Sequence, residues 1–311
     1  MILSLIILNI LGLAGFIFLA TWWRLTKTEN RQILTLREGR AGGRTVLVIE
    51  GCNQRDGSAN WLTSNHVVKS HDRVLLLKRR YHESHDAPWW YAKSWIPLWL
   101  QFTEVLVAVQ KAIAKDQLPP KFDAAGHSVG CIMAKRLAEA LPQVVDRVIM
   151  LNSPTEERAE LAKNWQFWKQ VGFRALAHSI WTLIVFWRGF TPQTTVMQRS
   201  YLFPTTQKDA ALAFQRAMLP DSTLTFYGLL WYKGGELERA QAKGWAGKAL
   251  YIATPDDLLF PIGLTARDAT VRSRFAQFVS LASNTPHCFW FADKTASELN
   301  VQRVRDAIAA M

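Results

Sequence analysis

The segment that most restricts this chain is Gly126-His127-Ser128-Val129-Gly130. It lies between a short strand-like run, Phe122 to Ala125, and an amphipathic stretch that starts at Cys131 and meets no breaker until Pro142. A serine bracketed by glycines between a strand and a helix is the sequence form of a sharp elbow. Such a turn lifts the hydroxyl above the end of a parallel sheet. The glycines have a steric reason: the serine backbone is strained there, and its neighbours pass so close to the next strand and helix that a Cβ would clash. An ordinary serine in a glycine-bounded turn gives the same five letters, so the rest of the chain has to supply the context.

The context is a β–α alternation. Thr45-Val46-Leu47-Val48-Ile49 is a continuous apolar run, as in a strand buried on both faces. Further strands are predicted at Arg73 to Leu77, Asp146 to Leu151 and Lys248 to Ala253, with helices at Trp99 to Ala114 and Ser297 to Ala310. This order predicts a mostly parallel sheet flanked by helices. The length of 311 residues and the 49% hydrophobic content suit one large α/β domain with an insertion.

The first 23 residues carry no charged side chain, and their polar residues are Ser4, Asn9 and Thr21. That length matches a bilayer core, and Trp22, Trp23, Arg24 and Lys27 follow as interface residues would. A cleaved signal peptide would need a positive n-region, but no Lys or Arg precedes the run, and a small-x-small site, for which Ala20-Thr21-Trp22 is a poor match. The expectation is a single-pass N-terminal transmembrane helix over 1–23, with the remaining chain on the cytoplasmic side. The net charge of +12 fits an anionic membrane surface as partner. Nucleic acid is not expected, because the basic residues are scattered and no binding signature accompanies them. A polar linker follows over 24–44.

Between Leu151 and Ala249 lie roughly ninety residues, too many for a simple crossover. They hold Trp165, Trp168, Trp181, Trp187, Trp231 and Trp245. The expected organisation is therefore a core over 45–155 and 248–311, interrupted by a helical, tryptophan-rich cap over 156–247. The apolar centre of that cap, Ala175 to Phe190, reads either as a buried cap helix or as a lid whose apolar face touches lipid or an acyl chain.

A serine hydroxyl becomes a nucleophile only when a base takes its proton and an acid orients the base. In an elbow architecture the chain order is serine, acid, histidine. Thr254-Pro255-Asp256-Asp257 follows directly on a predicted strand. Asp257 is the candidate acid and Asp256 the alternative. His287 lies in a loop shortly before the terminal helix, where it can turn inward as the base. His127 is expected to point into the structure and is not assigned the base role. Two N–H groups must hold the oxyanion. Val129, directly after the serine, supplies one, and Cys52 in the Gly51-Cys52-Asn53 loop is the candidate for the other.

From about Thr45 onward the chain resembles the α/β-hydrolases and, more loosely, the lipid droplet-associated hydrolases. The likeness rests on Gly-His-Ser-Val-Gly, on Met150 to Arg158, on the Asp257 loop with its aspartate four residues before Pro261, and on Pro286-His287-Cys288-Phe289. It implies that fold, a serine-hydrolase triad, and a neutral-lipid or other ester substrate. Glu50-Gly51-Cys52 stands where many of these enzymes carry His-Gly and the lipid-droplet family carries Pro-Gly-Asn. Acyl transfer or thioester cleavage on the same triad, and a catalytically silent scaffold, are the alternative functions.

No cofactor is expected. His66, His71, His82 and His85-Asp86 match no zinc spacing, and no metal is assigned to them. The three cysteines, Cys52, Cys131 and Cys288, give neither a disulfide framework nor a ligand set.

Overall fold

The computed structural model describes residues 2–27, 33–52, 54, 57–65, 67–69, 72–78, 96–154, 177, 208–219, 221–230, 232–257, 260, 262–267, 269, 276–291 and 294–311. The strands are β1 (Ile33–Arg37), β2 (Thr45–Ile49), β3 (Arg73–Leu77), β4 (Phe122–His127), β5 (Val145–Leu151), β6 (Lys248–Ala253) and β7 (Ala276–Ser280). The helices are α1 (Ile2–Lys27), α2 (Gly57–Ser64), α3 (Leu98–Ala114), α4 (Val129–Ala140), α5 (Lys208–Ala217), α6 (Thr223–Leu230), α7 (Glu236–Ala242), α8 (Ile262–Arg267) and α9 (Lys294–Ala310).

The strands form one sheet in the order β1-β3-β2-β4-β5-β6-β7. Every neighbouring pair is parallel except β1 with β3. After β2 the chain adds β3 on one side, then crosses back to add β4 on the other. The strand order therefore reverses between β2 and β4, the position at which open α/β sheets bind ligands outside the carboxyl ends of their strands. There Ile49 lies level with Gly126, so the loop after β2 and the turn after β4 emerge side by side.

Side-chain alternation along β2 divides the core. Leu47 and Ile49 pack with Val105 and Val109 of α3 and with Ile132 and Leu137 of α4. Val46 and Val48 face Trp61 and Leu62 of α2 and Val304 and Ile308 of α9. Both faces are covered, which is why the strand sequence is continuously apolar. Each such side chain contributes about 1.5–3 kcal/mol on burial.

Two strands escaped the sequence. β1 lies inside the stretch read as a linker. β7 is half-buried along its whole length and carries Gln277 and Ser280, so it lacks the apolar run that marks an inner strand. The N-terminal expectation needs correction. α1 is 26 residues long, but among the described residues no helix is long and apolar enough to cross a membrane. The single-pass anchor over 1–23, and the cytoplasmic placement deduced from it, are not supported. Physically, α1 is committed in part to the domain: Ile17 is buried, and Phe18 meets Trp99 of α3 with ring centroids 6.0 Å apart.

The described part of the insertion is helical. α6 rests on α3, where Gln101 Nε2 donates to Thr225 Oγ1 at 2.7 Å. Ser222 Oγ and Thr225 Oγ1 both donate to the Ile96 carbonyl. α7 is tied to α4 by Arg239, which donates to both oxygens of Glu139 at 2.8 and 3.1 Å. Trp165, Trp168, Trp181, Trp187 and Trp231 lie outside the described residues, as do His66, His71, His82, His85 and Asp86.

Candidate active site

β4 ends at His127 and α4 begins at Val129, which leaves Ser128 alone to turn the chain. Its φ of 53° and ψ of −121° are a conformation that L side chains rarely adopt. Such strain costs on the order of 1–3 kcal/mol and persists only where the surroundings enforce it. The enforcement is visible. Ser128 N–H donates to the Leu151 carbonyl at 2.9 Å, and Cys131 N–H donates to the Ser128 carbonyl at 3.0 Å. A Cβ on Gly126 would overlap the Gly130 backbone, and one on Gly130 would overlap the Ile49 carbonyl. Both glycines are thus required by close approach, as the motif predicts.

Burial pushes the Cys131 thiol up to about 12, so it stays protonated. It bridges the carbonyls of Gly126 and Leu151 at 3.1 and 3.3 Å. Its part is structural.

Asp257 and His287 come from separate loops, after β6 and after β7, and both are buried. His287 Nδ1 lies 2.5 Å from Asp257 Oδ2. The other carboxylate oxygen, Oδ1, accepts the Phe260 N–H at 3.2 Å. The Phe260 ring stacks on the imidazole at 4.9 Å and 18°. Asp256 goes elsewhere: it is exposed, and its Oδ2 accepts the Asn284 N–H at 2.8 Å. The structure therefore brings Asp257, not Asp256, to His287.

Ser128 and His287 reach the same end of the sheet through His127, whose ring lies 4.8 Å from that of His287. Among the described residues no hydrogen bond joins Ser128 to His287. Such bonds commonly close only when substrate is bound.

His127 is fully buried, as expected of a residue pointing inward. Burial, then the neighbouring His287, hold its pKa well below the usual histidine value, so the ring is neutral. Its Nε2 lies 3.0 Å from the His287 carbonyl oxygen and its Nδ1 2.5 Å from Gln54 Nε2.

The loop after β2 lies against the serine. A Cβ on Gly51 would come within 2.9 Å of Ser128 Cβ and 2.8 Å of the His127 carbonyl. Glycine is needed here so that the loop can approach the elbow closely. Cys52 follows it, half-buried. Val129 opens α4, where the first N–H groups of a helix lack intrahelical acceptors and carry the positive end of the dipole. Asn53 lies outside the described residues.

Sequence reasoning assigned no role to four residues of this region: Glu50, Gln54, Asn152 and Phe260. Glu50 accepts the Ser58 hydroxyl at 2.6 Å and the Ala59 N–H at 3.2 Å, fastening the loop to the start of α2. Burial, with the charges of Glu50 and Asp257 nearby, holds the Cys288 thiol well above its usual value. The only sequence signal for the four was position, each lying within a few residues of a strand end on the site side.

No protein-family model matches the sequence, and no curated protein matches it. Solved structures do. A lipase-esterase related protein from Clostridium acetobutylicum superposes with a TM-score of 0.59 at 12% identity, covering 89% of this chain and 98% of that one. A carboxylesterase from Nitrososphaera gargenis gives 0.56 at 14%, over 83% and 89%. The enol-lactonase from Burkholderia xenovorans gives 0.54 at 18%, over 90% and 97%. At these identities the likeness is one of architecture, and the architecture of this chain is the α/β-hydrolase fold.

Proposed function

We propose that this chain is a serine hydrolase of carboxylic esters. The observation that carries the reading is the buried Asp257–His287 pair, 2.5 Å apart, at the sheet end that holds the strained Ser128. In this mechanism Ser128 Oγ attacks the ester carbonyl and His287 Nε2 takes its proton. Asp257 holds the Nδ1–H, so the imidazole keeps the right tautomer and the imidazolium is stabilised as it forms. The N–H groups of Val129 and Cys52 donate to the oxyanion and stabilise its charge. His287 then protonates the leaving alkoxide, and water, activated by the same base, releases the acid from the acyl-enzyme. The presence of a carboxylesterase and an enol-lactonase among the structural neighbours supports ester chemistry of this kind.

The test is covalent labelling of the full chain with a fluorophosphonate. Wild type should label and Ser128→Ala should not. Labelling of a folded Ser128→Ala variant defeats the reading. Adding an alcohol acceptor to the turnover assay separates hydrolysis from acyl transfer on the same residues.

We further propose a preference for long-acyl, lipid-like esters. The support is the tryptophan-rich composition of 156–247 and the row of exposed apolar residues on α1, among them Leu8, Leu11, Phe16 and Trp23. Each CH₂ drawn from water is worth about 0.8 kcal/mol. Turnover of 4-nitrophenyl esters from acetate to palmitate tests this, and equal kcat/KM across the series argues for a short-chain esterase instead.

A further inference from the structure

We propose that His127 and Asn152 are positioning residues that hold the base of this site by its own backbone carbonyl. The inference rests on the reading of His287 as base and goes beyond it. A histidine on a loop is aimed by two things, its ring contacts and its main chain. Asp257 and Phe260 provide the first. For the second, the His287 carbonyl oxygen meets two donors: Asn152 Nδ2 at 2.6 Å and His127 Nε2 at 3.0 Å. These come from the carboxyl ends of the adjacent inner strands β5 and β4.

Both donors are fixed by chemistry that admits one assignment. The Thr254 N–H can only donate, and it points at Asn152 Oδ1 at 2.8 Å, joined there by Thr254 Oγ1 at 3.0 Å. The amide group of Asn152 is therefore oriented with its NH₂ toward His287. In the same way the Gly51 N–H donates to Gln54 Oε1 at 3.1 Å, which turns the Gln54 NH₂ toward His127. His127 Nδ1 must then accept, so in the neutral ring the proton sits on Nε2, facing the carbonyl. The neutral state of the ring agrees with its burial beside His287.

Gln54, His127, Asn152, Thr254 and His287 are all buried, where the low dielectric strengthens these bonds. The circuit joins five segments: the loop after β2 that presses on Ser128, the elbow, the end of β5 that carries Asn152, the turn after β6 that carries Asp257, and the base loop. Movement of the base loop by about 1 Å is enough to cost on the order of 10²-fold in rate, because proton transfer requires the ring within hydrogen-bond reach of the serine. Asn152 itself adopts φ +50°, which asparagine tolerates better than most residues, and this aims its amide at the carbonyl.

The test uses the full chain and a soluble 4-nitrophenyl ester, with circular dichroism and melting as checks of folding. Asn152→Asp changes one NH₂ into an oxygen that repels the carbonyl, yet keeps the tolerance for positive φ and the acceptor for Thr254. His127→Phe removes the ring donor at nearly constant size, whereas His127→Gln keeps an amide donor. Asn152→Asp and His127→Phe are expected to lower kcat on the order of 10²-fold with KM unchanged. His127→Gln should recover much of the loss. Folded Asn152→Asp or His127→Phe with wild-type kcat overturns the proposal, as does a loss carried by KM. If those two variants do not fold, His127→Gln decides: wild-type-like fold with activity lost overturns it, and activity retained supports it. Ser128→Ala run alongside separates the two readings. If Ser128→Ala stays active, the triad itself is wrong; if it is inactive while the positioning variants match wild type, only the clamp fails.

Discussion

Strand β4 carries a buried polar group at each end, and the two ends behave oppositely. At its start, Asp123 is fully buried and bound to two guanidinium groups. Arg44 donates to both carboxylate oxygens at 2.9 Å, and Arg147 donates to Oδ2 at 3.0 and 2.6 Å. Arg44 also meets Asp146, and these carboxylates raise its already high pKa. Here both partners are permanently charged and the carboxylate oxygens are saturated. With guanidinium groups as its partners, this carboxylate serves as a bolt across the amino ends of the strands. At the other end, beside the strained Ser128, His127 packs against His287, whose ring faces the buried Asp257 of the loop after β6. Two buried carboxylates in one sheet thus differ in whether the partner can change charge. That difference separates a fastener from a candidate catalyst.

The comparison can be broken first at the serine. Ser128→Ala should remove nearly the whole contribution of the triad, on the order of 10⁶ in kcat by analogy with other serine hydrolases, while leaving the melting temperature close to wild type, because alanine keeps the Cβ at the same backbone angles and loses only the hydroxyl. Asp257→Asn should come next, with a loss of about 10⁴ in kcat, since the amide orients the wrong imidazole tautomer. Steady-state kinetics on both variants check these values. Asp256→Asn should leave kcat unchanged, because Asp256 binds the Asn284 turn instead.

Asp123→Ala should do the reverse of Asp257→Asn. It strands Arg147, which is nearly buried, and Arg44, whose side chain stays 41% exposed. The cost should be about 3 kcal/mol of stability, at the low end for breaking a buried pair because Arg44 can still reach water. Denaturant unfolding measures it, and the activity per folded molecule should hold. A fall in that activity with stability intact would erase the distinction between the two ends.

The smallest expected effect concerns His127. Burial holds its folded pKa below the ordinary 6.5, so the unfolded chain binds the extra proton first as pH falls. Its contribution therefore leaves stability unaffected above about pH 6.5 and lowers it progressively below, by at most about 1.4 kcal/mol per pH unit. Unfolding of wild type and His127→Gln at pH 7.5 and 5.5 should show a shallower acid loss in the variant.

The contrast also explains what could be read in advance. β2, β3, β5 and β6 were visible because inner strands of a parallel sheet are buried on both faces, which writes a continuous apolar run into the sequence. The Gly126–Gly130 spacing was legible because backbone crowding leaves no room for a Cβ at either glycine. Edge strands β1 and β7 left no such trace, since one face or one border of each meets solvent. The N-terminal apolar run was misread as a span because hydropathy alone does not register that Ile17 and Phe18 are used against the domain.

By itself the sequence determined the order of serine, acid and histidine, their positions after strands, and the elbow geometry, because these follow from local chain sterics and from the topology of parallel strands. Only the tertiary structure decided between Asp256 and Asp257. Adjacent residues in a turn point in different directions, and which one faces His287 depends on a loop 30 residues away. The same holds for Gln54, His127 and Asn152. Their roles are set by which donors and acceptors are left over when five segments meet, and no segment of the chain contains that information on its own.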